Sequence, residues 1–367
     1  MSAASATPSS INVVTDADIL SALLSSHHDA LPTSIERIDA RTLSPSEFSR
    51  RFVCASLPVI LTHATDDWNA HSLWQNEAGF LSGDTGDSLV TLAATPDGRA
   101  DSSDIDIANG ALRLPLEISV SLRDAVKILR DPKVCGISYL QQQNDVLRRD
   151  LPILAAAARS DGGGGGNGGG NDGVLESFAS VLGPIEAVNI WASGIRETTS
   201  QWHRDHYDNL HTVITGKKIF KFLPPSGVLI LKKRYVITRR WEHGSGDYTN
   251  GLCNDGGDDV DANVRQCPCW NLKEAPDALP PGSAKIPWVT ANQKNVMDSN
   301  PFIITLLAGE TLFLPALWYH EVISCANPKW LTITVNTWYE SQAQGANVAS
   351  ASFFEHIALK NSVSGTT

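Results

Sequence analysis

From about residue 185 onward, short runs rich in Val, Ile, Thr, Phe and Trp alternate with turn residues. That pattern predicts the strands of a β-sandwich or jelly roll. Upstream the periodicity is mixed. Residues 16–26 put Ile19, Leu20, Leu23 and Leu24 on one helical face behind a Thr15 or Asp16 cap. Ser44–Val53 predicts a second short helix, with Ser44 as cap and Glu47 three residues on. LPVILT at 57–62 and CGISYLQ at 135–141 predict strands, with a helix over Ser119–Leu129 between them. WLTITVNTWYE at 330–340 alternates most cleanly. Trp330, Thr332, Thr334, Asn336 and Trp338 share one face, and Leu331, Ile333, Val335, Thr337 and Tyr339 the other. The first face fits a polar cavity wall or an ordinary solvated sheet face. ASASFFEHIALK at 349–360 predicts a terminal helix.

Two stretches break these patterns. DGGGGGNGGGNDG at 161–173 reads as a flexible surface insertion, and no Gly-Lys-Ser/Thr follows to make it a phosphate loop. Residues 232–299, rich in Gly, Asp, Asn and Pro, read as a long insertion between strands. The expected organisation is a disordered tail over 1–12 and an N-terminal α+β elaboration over 13–184. A β core follows over 185–345, then a C-terminal helix and tail over 346–367.

Composition narrows the function classes. The 367 residues are 42% hydrophobic and 19% charged, as in globular proteins. The net charge, 29 − 40 = −11, disfavours a nucleic-acid binder and suits a basic partner. No apolar run reaches the roughly 18 residues that a membrane span needs. Met1–Ser10 has neither the basic start nor the apolar core of a leader peptide. Cysteines at 54, 135, 253, 267, 269 and 325 are too sparse for a disulfide framework. The expected location is therefore a reducing compartment, the cytoplasm, with the nucleus as a second location. Cys253, Cys267 and Cys269 amount at most to half a zinc site, with no CxxC pair to support it.

His-x-Asp occurs three times, at 27/29, 203/205 and 206/208, so the spacing alone does not choose among them. The first ends a helical pattern and the other two overlap in WHRDHYDN. NLHTVITGKKIFKFLPP at 209–225 reads as a hairpin, with strands over 209–214 and 217–223 around Thr215–Gly216. On the second strand Lys218 shares a face with Phe220 and Phe222. It either snorkels to water or is buried and needs an anion. GETLFLPALWYHEVIS at 309–324 carries His320 where the core pattern continues. Two histidines and one carboxylate are the ligand set of a non-haem iron(II) oxygenase, which leaves coordination positions open. A 2-oxo acid and dioxygen can fill those positions, and Lys218 would then hold the far carboxylate of the acid.

These segments resemble the jumonji-C 2-oxoglutarate oxygenases. The carrying motifs are SQWHRDHYDNLHTVITGKKIFKFLPPS (200–226), ETLFLPALWYHEVIS (310–324) and TITVNTWYE (332–340). LPVILTHATDDW (57–68), LAATPDGRAD (92–101), CGISYLQQQND (135–145) and EAVNIWASG (186–194) add similarity to the lysyl hydroxylases of that family. The resemblance implies a mainly β fold: a double-stranded β-helix, or cupin-like jelly roll, flanked by helices. It implies Fe(II) on His203, Asp205 and His320, which selects the 203/205 pair. It also implies 2-oxoglutarate and O2 as cosubstrates. The far carboxylate of 2-oxoglutarate would meet Lys218 and Tyr139. Ser200 stands where relatives usually have threonine, and Asn209 and Asn336 line the cosubstrate pocket, with Asn189 and Trp338 as further lining. The implied reaction is (3S)-hydroxylation of a lysine in a protein substrate, such as a developmentally regulated GTP-binding protein. Homodimerisation through the C-terminal helix is implied as well. The competing readings are N-methyl-lysine (histone) demethylation, hydroxylation of a transfer-RNA base, which the acidity opposes, and a catalytically silent cupin-like binding module. A peptidase has no HExxH motif or activated nucleophile to support it.

Overall fold

The computed structural model describes residues 31–100, 111–157, 173–244, 269–341 and 344–364. The expected helix over 16–26, His27/Asp29, the tail over 1–12 and positions 161–172 of the Gly-rich run lie outside them. All the elements below fall within the compact unit Glu36–Thr367.

Eight strands build the core: β8 (Ile185–Ser193), β9 (Thr198–Arg204), β10 (Tyr207–Thr215), β11 (Lys217–Leu223), β15 (Phe302–Leu307), β16 (Thr311–Leu314), β17 (Tyr319–Ser324) and β18 (Thr332–Glu340). The strands β16-β10-β18-β8 are neighbours in one sheet, and β15-β11-β17-β9 in the other. The chain passes from sheet to sheet at each of the steps β8–β9, β9–β10, β10–β11, β15–β16, β16–β17 and β17–β18. This is the double-stranded β-helix expected from the sequence.

The first sheet grows to nine strands by recruiting the N-terminal region. Beside β16 lie β2 (Val59–Thr62) and β1 (Arg37–Asp39). Beside β8 lie β7 (Ile137–Gln142), β3 (Leu89–Thr95) and β6 (Leu116–Ser121). β4 (Arg99–Ala100) extends the second sheet next to β9. The 232–299 stretch has a sheet of its own: β12 (Lys233–His243) between β13 (Trp270–Glu274) and β14 (Ile286–Val289), with β5 (Ala111–Leu114) also paired to β12.

The main hydrophobic core lies on the outer face of the large sheet. Leu331 and, on β18, Ile333, Val335 and Tyr339 pack there with Phe48, Phe178 and Phe313. The opposite β18 face, Thr332, Thr334 and Asn336, is buried as well, at 1%, 0% and 2% exposure. Of the two readings of that face, the cavity wall is therefore the right one.

Local signals hold where they are self-contained. Ser44 accepts the Glu47 N–H and opens the helix Pro45–Phe48, which continues as a wider turn to Val53. The expected helix over Ser119–Leu129 begins later, at Leu122, because Ser119–Ser121 are the end of β6 and Ser121 caps the helix. The strand expected from Cys135 begins at Ile137.

The expected hairpin over 209–223 is corrected. β10 is already paired on both edges, to β16 and β18, so β11 cannot join it and crosses to the facing sheet. Gly216 makes that corner at φ +76, a left-handed conformation that L side chains rarely adopt. Thr215 Oγ1 pins the corner by donating to Leu331 O at 2.6 Å.

Cys135 is disulfide-bonded, which the expectation of a reducing compartment did not anticipate. Cys54, Cys269 and Cys325 form no disulfide, and Cys253 and Cys267 are outside the described set.

The C-terminal helix runs Gln344–Ser364. Ala351, Phe354 and Ala358 face its own chain at 1%, 8% and 6% exposure, while Phe353 is 52% exposed. No helix among the described residues is long and apolar enough to cross a membrane.

Candidate active site

The two core sheets face each other across a polar interior. Strand alternation dictates which side chains enter it. From β10 come Asn209 and His211. From β18 come Thr334 and Asn336, and from β8 Asn189, Trp191 and Ser193. Cross-strand register places His211, Asn336 and Asn189 in one row. From the second sheet come Lys218 and Phe220 of β11, Ser324 and His320 of β17, and His203 of β9, where His203 is directly opposite His320.

At one end of this interior the ligand atoms of His203, Asp205 and His320 lie within 4.8 Å of one another. His320 Nε2 is 3.7 Å from Asp205 Oδ2, and the two imidazole centroids are 4.2 Å apart. His203 Nδ1 is 2.6 Å from Gln201 O, and His320 Nδ1 is 3.0 Å from Trp318 O. A carbonyl only accepts, so both Nδ1 atoms carry the proton and both Nε2 lone pairs are free to ligate. Burial lowers the His320 pKa to about 4, with the neighbouring His203 acting the same way, so the ring is neutral at physiological pH. Two imidazoles with fixed tautomers and one carboxylate fit a divalent first-row metal with open coordination positions. No other group of three or more such ligands occurs among the described residues.

The overlapping pair does not share this geometry. His206 is exposed. Asp208 is buried on the other face of β10, where it accepts the Ala316 N–H at 2.9 Å.

At the other end Lys218 is 2% exposed. Its Nζ donates to Tyr139 Oη at 2.9 Å, and no carboxylate pairs with it among the described residues. Burial drives its pKa down from 10.5 to about 7. The snorkelling alternative is thereby excluded. Tyr139 stacks on Trp191 at 5.9 Å, and Ser193 Oγ donates to Ser324 Oγ at 2.9 Å, closing this end. Ser200 lines a small cavity together with Tyr139. Between the two ends, Asn336 accepts from Trp191 Nε1 at 2.7 Å and donates to Asn209 Oδ1 at 3.1 Å, which fixes all three side chains. A buried lysine with no carboxylate partner among the described residues, opposite the ligand triad, fits a diacid that chelates a metal through its other end.

A cavity of about 160 Å³ opens beside His203, lined also by Arg204, His206, Lys233, Trp288 and Tyr319. Lys233 and Trp288 belong to the 232–299 stretch, which sequence reasoning left without a role. Arg204, Lys233 and Tyr319 all bind Glu355 of the C-terminal helix, at 2.8, 2.8 and 2.9 Å. The sequence reading also missed Trp191 and His211. Period-two alternation from Asn189 and from Asn209 is the signal that would have found them.

The profile of the cupin-like domain family matches residues 45–345. The lysine-specific demethylase JMJ32 of Arabidopsis thaliana is 30% identical over 338 residues, covering 91% of this chain and 89% of that protein. The chain belongs to the cupin-like JmjC family. Two further JmjC relatives are similar along nearly the same length. JmjC domain-containing protein E of Dictyostelium discoideum is 27% identical over 88% of this chain and 89% of its own. The human bifunctional peptidase and (3S)-lysyl hydroxylase JMJD7 is 27% identical over 85% of this chain and 86% of its own. This JmjC protein is accordingly a 2-oxoglutarate-dependent oxygenase, and its family implies Fe(II) as the metal.

Proposed function

We propose that the chain hydroxylates a lysine side chain in a protein substrate, the (3S)-lysyl hydroxylation for which the human relative is named. In this reading His203, Asp205 and His320 hold Fe(II). Lys218, Tyr139, Ser200, Asn209 and Asn336 hold 2-oxoglutarate, and O2 is the second cosubstrate. The observation that carries it is the convergence of the triad at one end of a polar interior whose other end holds the buried Lys218, with no carboxylate partner among the described residues. Metal and cosubstrate, when bound, supply the oxidising power that C–H hydroxylation needs.

The chain's own residues do the rest. The Gln201 and Trp318 carbonyls keep both histidines in the ligating tautomer. Lys218 takes up a proton and meets the far carboxylate, with Tyr139 as a second donor. The Trp191–Asn336–Asn209 chain holds the wall rigid, so the cosubstrate is oriented without rearrangement. The target side chain approaches through the cavity beside His203, where Trp288 gives the aliphatic stem an apolar wall. The net charge of −11 supports a basic, lysine-bearing segment as partner, such as one in a GTP-binding protein of the translation-factor class.

A second reading, N-methyl-lysine demethylation, is supported by the name of the Arabidopsis relative. Mass spectrometry of candidate proteins and methylated peptides after incubation with Fe(II) and 2-oxoglutarate separates the two. Gain of one oxygen on an unmodified lysine supports hydroxylation, and loss of a methylene from methyl-lysine supports demethylation. Absence of both, with no succinate formed, would return the chain to a binding module.

A further inference from the structure

His211 is the one ionisable side chain of the inner cavity, among the described residues, to which the reaction above gives no task. It lies on β10, two residues past Asn209 and on the same face. It is 6% exposed, and its Nε2 has no hydrogen-bond partner. Its ring meets Phe220 edge-on at 5.1 Å between centroids. Phe220 is the inward residue next to Lys218 on β11, so the imidazole stands beside the cationic end of the cavity. Asn336, directly across from His211 on β18, is already committed to Trp191 and Asn209. The charges acting on the ring are those of Lys218 and His320, with no carboxylate among them, and burial keeps the ring neutral. A neutral imidazole still has one N–H to give, and a buried donor left without an acceptor is costly.

We infer that His211 is a cosubstrate-binding residue: its Nε2–H donates to the far carboxylate of 2-oxoglutarate, alongside Lys218. The inference rests on the reading of Lys218 as the diacid anchor. It gives the site a directional contact beside a point charge, and so a preference for 2-oxo diacids over 2-oxo monoacids.

The test is calorimetric titration of the Mn(II)-loaded protein with 2-oxoglutarate and, separately, with 2-oxobutanoate, which has the same chelating end and no far carboxylate. His211→Phe keeps the aromatic contact and removes the donor. The expected result is roughly 10- to 100-fold weaker 2-oxoglutarate binding with 2-oxobutanoate binding unchanged, the size of one hydrogen bond to a charged group. His211→Gln, which restores a donor, should recover most of the loss. Equal losses for both acids, or none for either, would overturn the inference. If His211→Phe does not fold, as thermal unfolding would show, His211→Leu carries the same comparison. Lys218→Met is titrated in parallel. Retained diacid affinity there would refute the anchor itself, whereas its loss beside an unaffected His211→Phe would refute the role of His211 alone.

Discussion

Replacing Lys218 by methionine is expected to make the ligand-free protein more stable and unable to take up a diacid. The ammonium is buried with the Tyr139 hydroxyl and the Tyr139 and Trp191 rings beside it and no carboxylate among the described residues, and burial lowers its pKa from 10.5 to about 7. At about 1.4 kcal/mol per pH unit, that difference costs folding on the order of 5 kcal/mol when the group is charged. Below about pH 7 both the folded and the unfolded chain hold the proton, and the cost is fully present. Between 7 and 10.5 the unfolded chain binds more protons than the folded one, so ligand-free stability rises with pH. Methionine fills a similar volume without charge, so Lys218→Met should raise the unfolding free energy at pH 7 by several kcal/mol and flatten this pH dependence. The same titration governs binding. The carboxylate needs the ammonium, so binding should take up about half a proton at pH 7 and nearly one at pH 8, and affinity should fall up to tenfold per pH unit above that. Calorimetry of 2-oxoglutarate binding to Mn(II)-loaded protein, in buffers of different ionisation enthalpy, measures the uptake. Urea unfolding of wild type and variant measures the stability. A less stable Lys218→Met, or binding without proton uptake across pH 6 to 8, would refute the reasoning.

Other outcomes follow from particular contacts. Glu355→Ala removes the shared partner of Arg204, Lys233 and Tyr319 and strands partly buried cations. Urea unfolding should show a loss of about 3 kcal/mol, with the C-terminal helix exposed first to proteolysis. Gly216→Val drives a Cβ into Thr332 Oγ1 at a positive φ. It should cost more than about 2 kcal/mol in thermal unfolding or prevent folding, since the corner between sheets cannot relax. Phe353 is exposed whereas Phe354 is buried against its own chain. If the C-terminal helix mediates a homodimer, Phe353→Asp should yield monomer by light scattering with unchanged thermal stability. An unchanged mass would remove the helix as the interface.

Most residues of the site were legible because they sit in strands whose alternation declares their face, although Asp205 lies just past the end of β9. Lys218 is grouped with two phenylalanines, and Asn336 with two threonines. Their convergence was not legible from periodicity alone. The contact that pairs His203 with His320 spans more than a hundred residues, and the resemblance supplied it. The hairpin over 209–223 was misjudged for a related reason. A glycine turn between two strands is a local signal, but whether the strands pair depends on who occupies the edges of β10, and β16 and β18 come a hundred residues later. The 232–299 stretch showed its Gly, Asp and Pro and hid β12 and Trp288, because turn-rich composition outweighs a few short strands in any window.

The most direct measurement is a crystal structure of the protein grown without oxygen in Mn(II) and 2-oxoglutarate. The metal should be bound by His203 Nε2, an Asp205 carboxylate oxygen and His320 Nε2, with the cosubstrate chelated to it and its far carboxylate on Lys218 Nζ. Manganese at any other set of ligands, or a diacid whose far end leaves Lys218 unpaired, would contradict the oxygenase site described above.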